Sequence, residues 1–330
     1  MFMASGDFSA YKNLPVLVTG GAGFIGSHLV RGLLEAQAKV AVLDNFSAGF
    51  RSNLQEILPA ITLIEGDITN PSDCNHAAAD RAIVFHLAAL GSVPGSVDAP
   101  VKYNQVNITG TLNMLQAARQ AGARRFVYSA SSAAYGDSPT LPKIETMLPA
   151  PKSPYAVGKL TGEYYARVYS QVYGLSTISL RYFNVFGPRQ NPKSQYAAVI
   201  PAFITAILRN DPPTIYGDGE QTRDFCHVAN VVRANMLAGI ATRNLAGEVA
   251  NIACGENISL NAMLEKMEGL LQKKVQRHYL PARPGDVRDS LADITLAHTL
   301  LGYEPAVWFP QGLEQTVRWF ASQAVQRISN

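Results

Sequence analysis

The sequence predicts an α/β fold, a doubly wound parallel sheet with helices on both faces followed by a smaller C-terminal α/β lobe. Short apolar runs alternate with longer segments of helical period from Leu14 onward, the order strand, helix, strand repeats, and a glycine-rich turn separates the first strand from the first helix. PVLV is the first strand, FIGSHLVRGLLEAQ the first helix, KVAVLD the second strand, ITLIEGD the third and AIVFHLAAL the fourth. Asn107 to Ala121 is predicted as a helix leading into the strand RFVYSA, and Tyr155 to Tyr173 as a helix leading into STISLRYF. That makes about six parallel strands by residue 183. The proline-rich stretch from Asp137 to Pro154 cannot form a continuous helix or a central strand, because each proline removes a backbone donor, so it is predicted as a loop beside a site. After Arg181 prolines and glycines break the pattern into shorter pieces. The predicted organisation is therefore a first domain over 1–184, joined by 224–252, and a second lobe over 185–330.

Composition bounds the function. The chain has 330 residues, 47% hydrophobic and only 16% charged, which excludes a disordered or coiled-coil protein and allows a large core. A formal charge of +3 from 28 basic and 25 acidic residues is too small for the footprint of a nucleic-acid binder, so no nucleic-acid partner is expected. Cys74, Cys226 and Cys254 are too few and too scattered for a disulfide framework or a zinc knuckle and are expected as buried thiols; no metal site is expected. No signal peptide and no apolar run near the roughly 20 residues of a bilayer span are visible, so the expected setting is cytoplasmic, without a membrane partner.

VLVTGGAGFIGSHL places Gly20, Gly21, Gly23 and Gly26 between strand and helix, in both G-x-G-x-x-G and G-x-x-G-x-x-G spacing. Glycines there allow the tight turn, let the backbone approach a pyrophosphate, and let Phe24 and Ile25 open a helix whose N–H groups face the anion. Asp44 ends the next strand, 18 residues past Gly26, where a carboxylate accepts hydrogen bonds from ribose hydroxyls and repels a 2′-phosphate. No arginine follows in Asn45 and its neighbours, so NAD is the expected cofactor rather than NADP. Asp67 and Ile68, after the third strand, are expected to flank the adenine, although Asp67 also suits a loop cap.

In SPYAVGK, Ser153 is a predicted N-cap and Pro154 a first helical residue, which puts Tyr155 and Lys159 on one helix face. A neighbouring ammonium and a positive nicotinamide favour a phenolate, turning a phenol of ordinary pKa about 10 into a base. SASSAAYG brings Ser131 and Ser132 to the C-terminal end of a strand, the end at which doubly wound sheets bind ligands. A serine hydroxyl there can hold a substrate oxygen while tyrosine takes its proton.

TGGAGFIGSH, SASSAAYG, SPYAVGK and RYFNVFG together resemble an extended short-chain dehydrogenase/reductase with a Rossmann-like domain, in its nucleotide-sugar 4-epimerase branch. The resemblance covers nearly the whole chain. It implies that Ser131, Tyr155 and Lys159 are the catalytic serine, tyrosine and lysine, and that Ser132 contacts substrate. It implies cofactor contacts from FHLAAL, with Leu87, Ala88 and Ala89; His86 there reads equally as a core histidine bonded to backbone. Sugar 4,6-dehydratases and uronate decarboxylases of this family carry carboxylates where this chain has Ser132 and Ala133, so simple epimerisation is implied.

On the substrate side the resemblance implies that Asn184 contacts the diphosphate, that Arg223 and Arg283 bind phosphate through their planar forks, and that Tyr216 lies near the uracil with Asp286 near its ribose. Tyr196, Ala197 and Val199 in QYAAVIP match the segment that meets the base, and Ser92 is expected near the sugar. Ser290 stands where epimerases restricted to glucose and galactose carry tyrosine, which leaves room for a 2-acetamido group. The implied substrate is therefore UDP-N-acetylglucosamine or UDP-N-acetylgalactosamine, with a homodimer built on the helices Asn107–Ala121 and Tyr155–Tyr173. A UDP-glucose or UDP-glucuronate 4-epimerase, a reductase and a non-catalytic NAD-binding regulator are the competing readings.

Overall fold

In the computed structural model, which describes residues 7–191, 198–282 and 287–328, the first apolar run forms strand β1 (Pro15–Thr19). Val16, Leu17 and Val18 are fully buried, as a run without polar alternation requires when both sheet faces are covered. The glycine turn leads into α1 (Phe24–Glu35), and the chain continues through β2 (Lys39–Asp44), β3 (Thr62–Glu65), α2 (Pro71–Ala78) and β4 (Ile83–His86). Two short helices, α3 (Val93–Asp98) and α4 (Pro100–Asn104), precede α5 (Gly110–Gln120), β5 (Arg125–Ser131), α6 (Pro154–Tyr173) and β6 (Thr177–Tyr182).

Local sequence explains the ends of α6. The Ser153 side chain accepts from Ala156 N at 3.2 Å, Pro154 supplies the first turn, and Gly174 closes the helix at φ +74. The helix predicted from Asn107 differs: it begins with a π turn over Gln105–Thr109, and α geometry resumes at Gly110. The wide turn presents Asn107 to the loop after β4, where Oδ1 accepts from Leu90 N at 2.9 Å and Nδ2 donates to Leu90 O at 3.0 Å.

Beyond Tyr182 lie β7 (Val185–Phe186), α7 (Val199–Arg209), β8 (Thr214–Tyr216), β9 (Thr222–Arg223), β10 (Cys226–His227), α8 (Val228–Ile240) and β11 (Ala246–Ile252). The chain then forms β12 (Ile258–Ser259), α9 (Leu260–Leu271), β13 (His278–Leu280), α10 (Thr295–Leu301) and α11 (Phe309–Ile328).

The central sheet is parallel and seven-stranded in the order β11-β6-β5-β4-β1-β2-β3. The six strands expected by residue 183 are joined at the β6 edge by β11. Val30, Leu33, Val231 and Ala234 of α1 and α8 pack one face; Cys74, Met114, Leu115 and Tyr169 of α2, α5 and α6 pack the other. A separate core of Phe186, Phe203, Ile204, Met263, Leu264 and Leu313 holds α7, α9 and α11 together. Cys74, Cys226 and Cys254 are free thiols, all buried. The strand order reverses between β1 and β4, and at that point a doubly wound sheet leaves a crevice beyond its strand ends.

Candidate active site

A cleft of about 290 Å³ opens at the switch point. It is lined by Gly20, Gly23, Phe24, Ile25 and Gly26 from the first turn, Asp44 and Asn45 after β2, Asp67 and Ile68 after β3, Leu87, Ala88 and Ala89 after β4, and Ser129 on β5. Every residue that the sequence places around the dinucleotide, apart from Gly21, Tyr155 and Lys159, is in this lining. Two glycines shape the floor. Gly20 has φ +69, and a Cβ on Gly26 would stand 2.1 Å from Gly20 O, so the turn and helix touch backbone to backbone. No side chain caps α1, and its first turn holds no acidic residue. The amides of that turn are thus open to a diphosphate, and the cradle fits NAD.

Asp44 does more than the sequence suggests. Oδ2 accepts from Ala22 N and Oδ1 from Phe46 N, both at 2.8 Å, so this carboxylate of the cleft lining also braces the glycine turn. Burial raises its carboxyl above the ordinary value, against the pull of these two bonds. Asn45 Nδ2 donates to Asp67 Oδ2 at 2.8 Å, tying together the loops after β2 and β3. Asp67 Oδ1 accepts from Thr69 N and Thr69 Oγ1, each at 2.7 Å, which is the loop-cap geometry. Burial works to raise its carboxyl, and the bonds from Thr69 and Asn45 outweigh burial and hold it below the ordinary range.

His86 is bonded to two threonine hydroxyls, where the sequence reading had backbone. Thr111 Oγ1 donates to Asn107 O at 2.7 Å and therefore receives the proton of His86 Nε2 at 3.0 Å. Nδ1 then accepts from Thr19 Oγ1 at 2.8 Å, and that oxygen accepts from Ala88 N at 3.1 Å. Burial, with a smaller contribution from Lys159, pushes the imidazole down to about 3, so it stays neutral. This chain of bonds fixes the backbone of Ala88 at the cleft wall.

Tyr155 and Lys159 stand on the first two turns of α6. The Ser131 side chain bears on the Tyr155 phenol, and its Oγ accepts from Ala133 N at 3.2 Å. Lys159 is 4% exposed, and its Nζ donates to Ser129 O at 2.7 Å. Burial pushes the ammonium down to about 8, opposed by Glu163. Burial raises the Tyr155 phenol, and the Ser131 side chain pulls it downward. Ser132 opens the 3-10 turn Ser132–Tyr135 beside Ser131 and is half-buried. Ser92 caps α3, its Oγ accepting from Gly95 N at 3.0 Å.

In the second lobe Asn184, at φ +27, donates Nδ2 to Asp224 O at 3.0 Å and to Ser290 Oγ at 3.3 Å. Arg223 Nη1 donates to Thr222 O at 2.8 Å and to Arg288 O at 2.9 Å, and Ser290 N donates to Thr222 O at 3.1 Å. Asn184, Arg223 and Ser290 therefore lie together. Asp224, which the sequence reading passed over, is the hub beneath them: its carboxylate accepts from Cys254 N at 3.0 Å and from Gly255 N and Ala292 N at 3.1 Å. Burial raises that carboxyl to about 6 despite these bonds. Tyr216 ends β8, and Val199 opens α7. Tyr196, Ala197, Arg283 and Asp286 lie outside the described residues. Among the described residues no three His, Cys, Asp or Glu side chains group as metal ligands, and no helix is long and apolar enough to cross a membrane.

Strand order 3-2-1-4 about the switch point, with a glycine turn feeding the cleft there, defines a dinucleotide-binding α/β protein. The family model described as the NAD dependent epimerase/dehydratase family matches residues 16–253, and the chain belongs to that family. It is 37% identical over 306 residues to a putative UDP-glucose 4-epimerase of Methanocaldococcus jannaschii, covering 92% of this chain and 97% of the relative. Among solved structures, UDP-N-acetylglucosamine 4-epimerase from Methanobrevibacter ruminantium in complex with UDP-N-acetylmuramic acid is similar at TM-score 0.90 and 43% identity, over 94% of this chain and 99% of that one. UDP-glucuronic acid 4-epimerase from Bacillus cereus, in complex with UDP-glucuronic acid and NAD, is similar at TM-score 0.87 and 34% identity, over 94% of this chain and all of that one.

Proposed function

We propose that the protein is a UDP-sugar 4-epimerase that uses NAD, with Tyr155 as the base, Ser131 as the group that shares the sugar hydroxyl with it, and Lys159 as the cation beside them. The observation that carries this reading is that Ser131 at the end of β5, Tyr155 on the first turn of α6 and a buried Lys159 bonded to Ser129 O come together at the strand end that borders the glycine-turn cleft. NAD, which the glycine turn and Asp44 would hold, would supply a reversible hydride acceptor for C4, so that no net oxidation would result. Tyr155 removes the C4 hydroxyl proton and gives it back, and Ser131 orients that oxygen. Lys159, anchored on Ser129 O, supplies positive charge that favours the phenolate.

For the sugar, UDP-N-acetylglucosamine and UDP-N-acetylgalactosamine are the proposed pair. Ser290, small and held 3.3 Å from Asn184 Nδ2, supports room for a 2-acetamido group, as does the likeness to the Methanobrevibacter epimerase. UDP-glucose and UDP-glucuronate are the second reading, supported by relatives bearing those names. A homodimer is proposed through α6, whose Val157, Tyr164, Val168 and Val172 are 44–65% exposed beside Val101 at 80%. Purified protein incubated separately with UDP-N-acetylglucosamine, UDP-glucose and UDP-glucuronate, with products resolved chromatographically, tests the function. The expected result is the C4 isomer of the first without accumulation of reduced cofactor; net NADH or no turnover of any of them contradicts the proposal.

A further inference from the structure

Behind the proposed catalytic group lies a buried ion pair that the mechanism above does not use. Glu163 stands one turn beyond Lys159 on α6, and its two carboxylate oxygens accept from Arg181 Nε at 2.9 Å and Nη2 at 2.7 Å. The side chains are 2% and 4% exposed. Arg181 is on β6, paired in register with Ala130, next to the Tyr182 that pairs with Ser131. Its guanidinium carbon lies 4.7 Å from the centroid of Tyr135, the last residue of the turn that starts at Ser132. One guanidinium thus fastens the helix of Tyr155 and Lys159 to the strand end and turn of Ser131 and Ser132. Removing one partner from such a pair leaves an uncompensated buried charge, whereas removing both is often tolerated.

We infer that Glu163 and Arg181 are positioning residues for Tyr155: bound together they fix α6 against the turn after Ser131, and by cancelling each other they leave Lys159 as the cation that sets the field at the phenol. This rests on the proposed role of Tyr155 as a base. The other titratable and charged groups facing this cluster are His86 from β4, Tyr128 from β5, Tyr103 from α4, Tyr135 from the turn, and Glu145 with Asp293 from the loops over Tyr135. His86 is neutral, burial raises the Tyr128 and Tyr135 phenols, and Tyr103 bears on Tyr155 from α4. Burial raises the Glu145 carboxyl, and its Oε1 is taken by Asn251 N at 2.7 Å.

Tyr155 and Glu163 are eight residues apart, about 12 Å along the helix. At an effective dielectric of about 20, a single uncancelled charge at that range moves an ionisation by about one pH unit. The test is the ionisation midpoint of Tyr155 in the NAD-loaded protein, read as the near-ultraviolet tyrosinate absorbance of each variant minus that of the same variant carrying Tyr155→Phe. Glu163→Gln leaves Arg181 charged and should lower the midpoint by about one unit; Arg181→Met leaves the carboxylate and should raise it by about as much. The double variant should return to within about 0.3 unit of wild type, as should Arg181→Lys, which keeps the charge. Shifts of the same sign in both single variants, or none in either while they remain folded, would overturn the inference. If a single variant does not fold, the double variant and Arg181→Lys decide, and a midpoint displaced by more than about half a unit in either counts against it. Because this readout does not require turnover, absence of epimerase activity in wild type would contradict the proposed function and leave the electrostatic result standing on its own.

Discussion

Replacing Gly26 by alanine places a methyl group where the structure has no room. The new Cβ would lie 2.1 Å from Gly20 O and 2.9 Å from Gly20 C and Gly21 Cα, all of them backbone atoms that cannot rotate away. Normal contact requires the turn and the first turn of α1 to separate by roughly 1 Å, a distortion in the class of overpacked cores that costs about 1–3 kcal/mol. The displaced atoms are those that frame the anion cradle, so the cost falls on cofactor binding. NAD affinity should drop by about 5- to 150-fold. Calorimetric titration of NAD into nucleotide-free protein measures this directly. Gly269→Ala is the control: the position is exposed in α9, a Cβ there meets nothing within 4 Å, and alanine should stabilise the helix by about 0.5–1 kcal/mol without touching NAD. A Gly26→Ala protein that bound NAD as tightly as wild type, with an unchanged melting point, would refute the assignment of the glycine turn to the diphosphate.

Three further outcomes are expected. Tyr155→Phe should keep NAD bound and lose about 10²- to 10⁴-fold in turnover, which equilibrium binding and steady-state rates on one preparation separate; retained turnover removes tyrosine as the base. Lys159→Met reports on a buried ammonium whose folded value, about 8, lies below its ordinary 10.5. The unfolded chain holds that proton more tightly, so the burial cost is fully present below about pH 8 and is relieved as pH rises toward 10.5; wild type should gain about 2 kcal/mol on the variant between about pH 7.5 and about pH 10 in denaturant unfolding. Ser290→Tyr should close the sugar pocket to 2-acetamido substrates, and unchanged turnover of UDP-N-acetylglucosamine in rate comparisons would discard Ser290 as the determinant.

What could be read from the chain was set by neighbours in sequence. The limits of α6 follow from Ser153, Pro154 and Gly174, each within a residue or two of the boundary it makes. The glycine turn and Asp44 were legible because a strand, a tight turn and a helix leave few other uses for glycines in that spacing. Longer-range features were hidden. The π turn at Gln105–Thr109 answers to Leu90, 17 residues upstream of Asn107, and nothing in the local pattern interrupts the helical period there. Lys159 sits four residues from Tyr155, yet its proton goes to Ser129 O on another element. Glu163, four residues further on, was visible in the sequence, but it acquires meaning only from Arg181 arriving on β6. Asp224 was likewise one acidic residue in a polar stretch until three backbone amides converged on it.

The seventh strand carries a consequence for biosynthesis. β6 is buried at every residue, and its outer edge is covered by β11, whose last residue comes 70 positions after Tyr182. At translation rates of about 5–20 residues per second, that unpaired edge waits about 4–14 s on the ribosome before its cover is made. A nascent chain halted before Ala246 would expose the unpaired backbone edge of β6, a template for intermolecular pairing, so premature termination in this interval should yield aggregates instead of a soluble fragment.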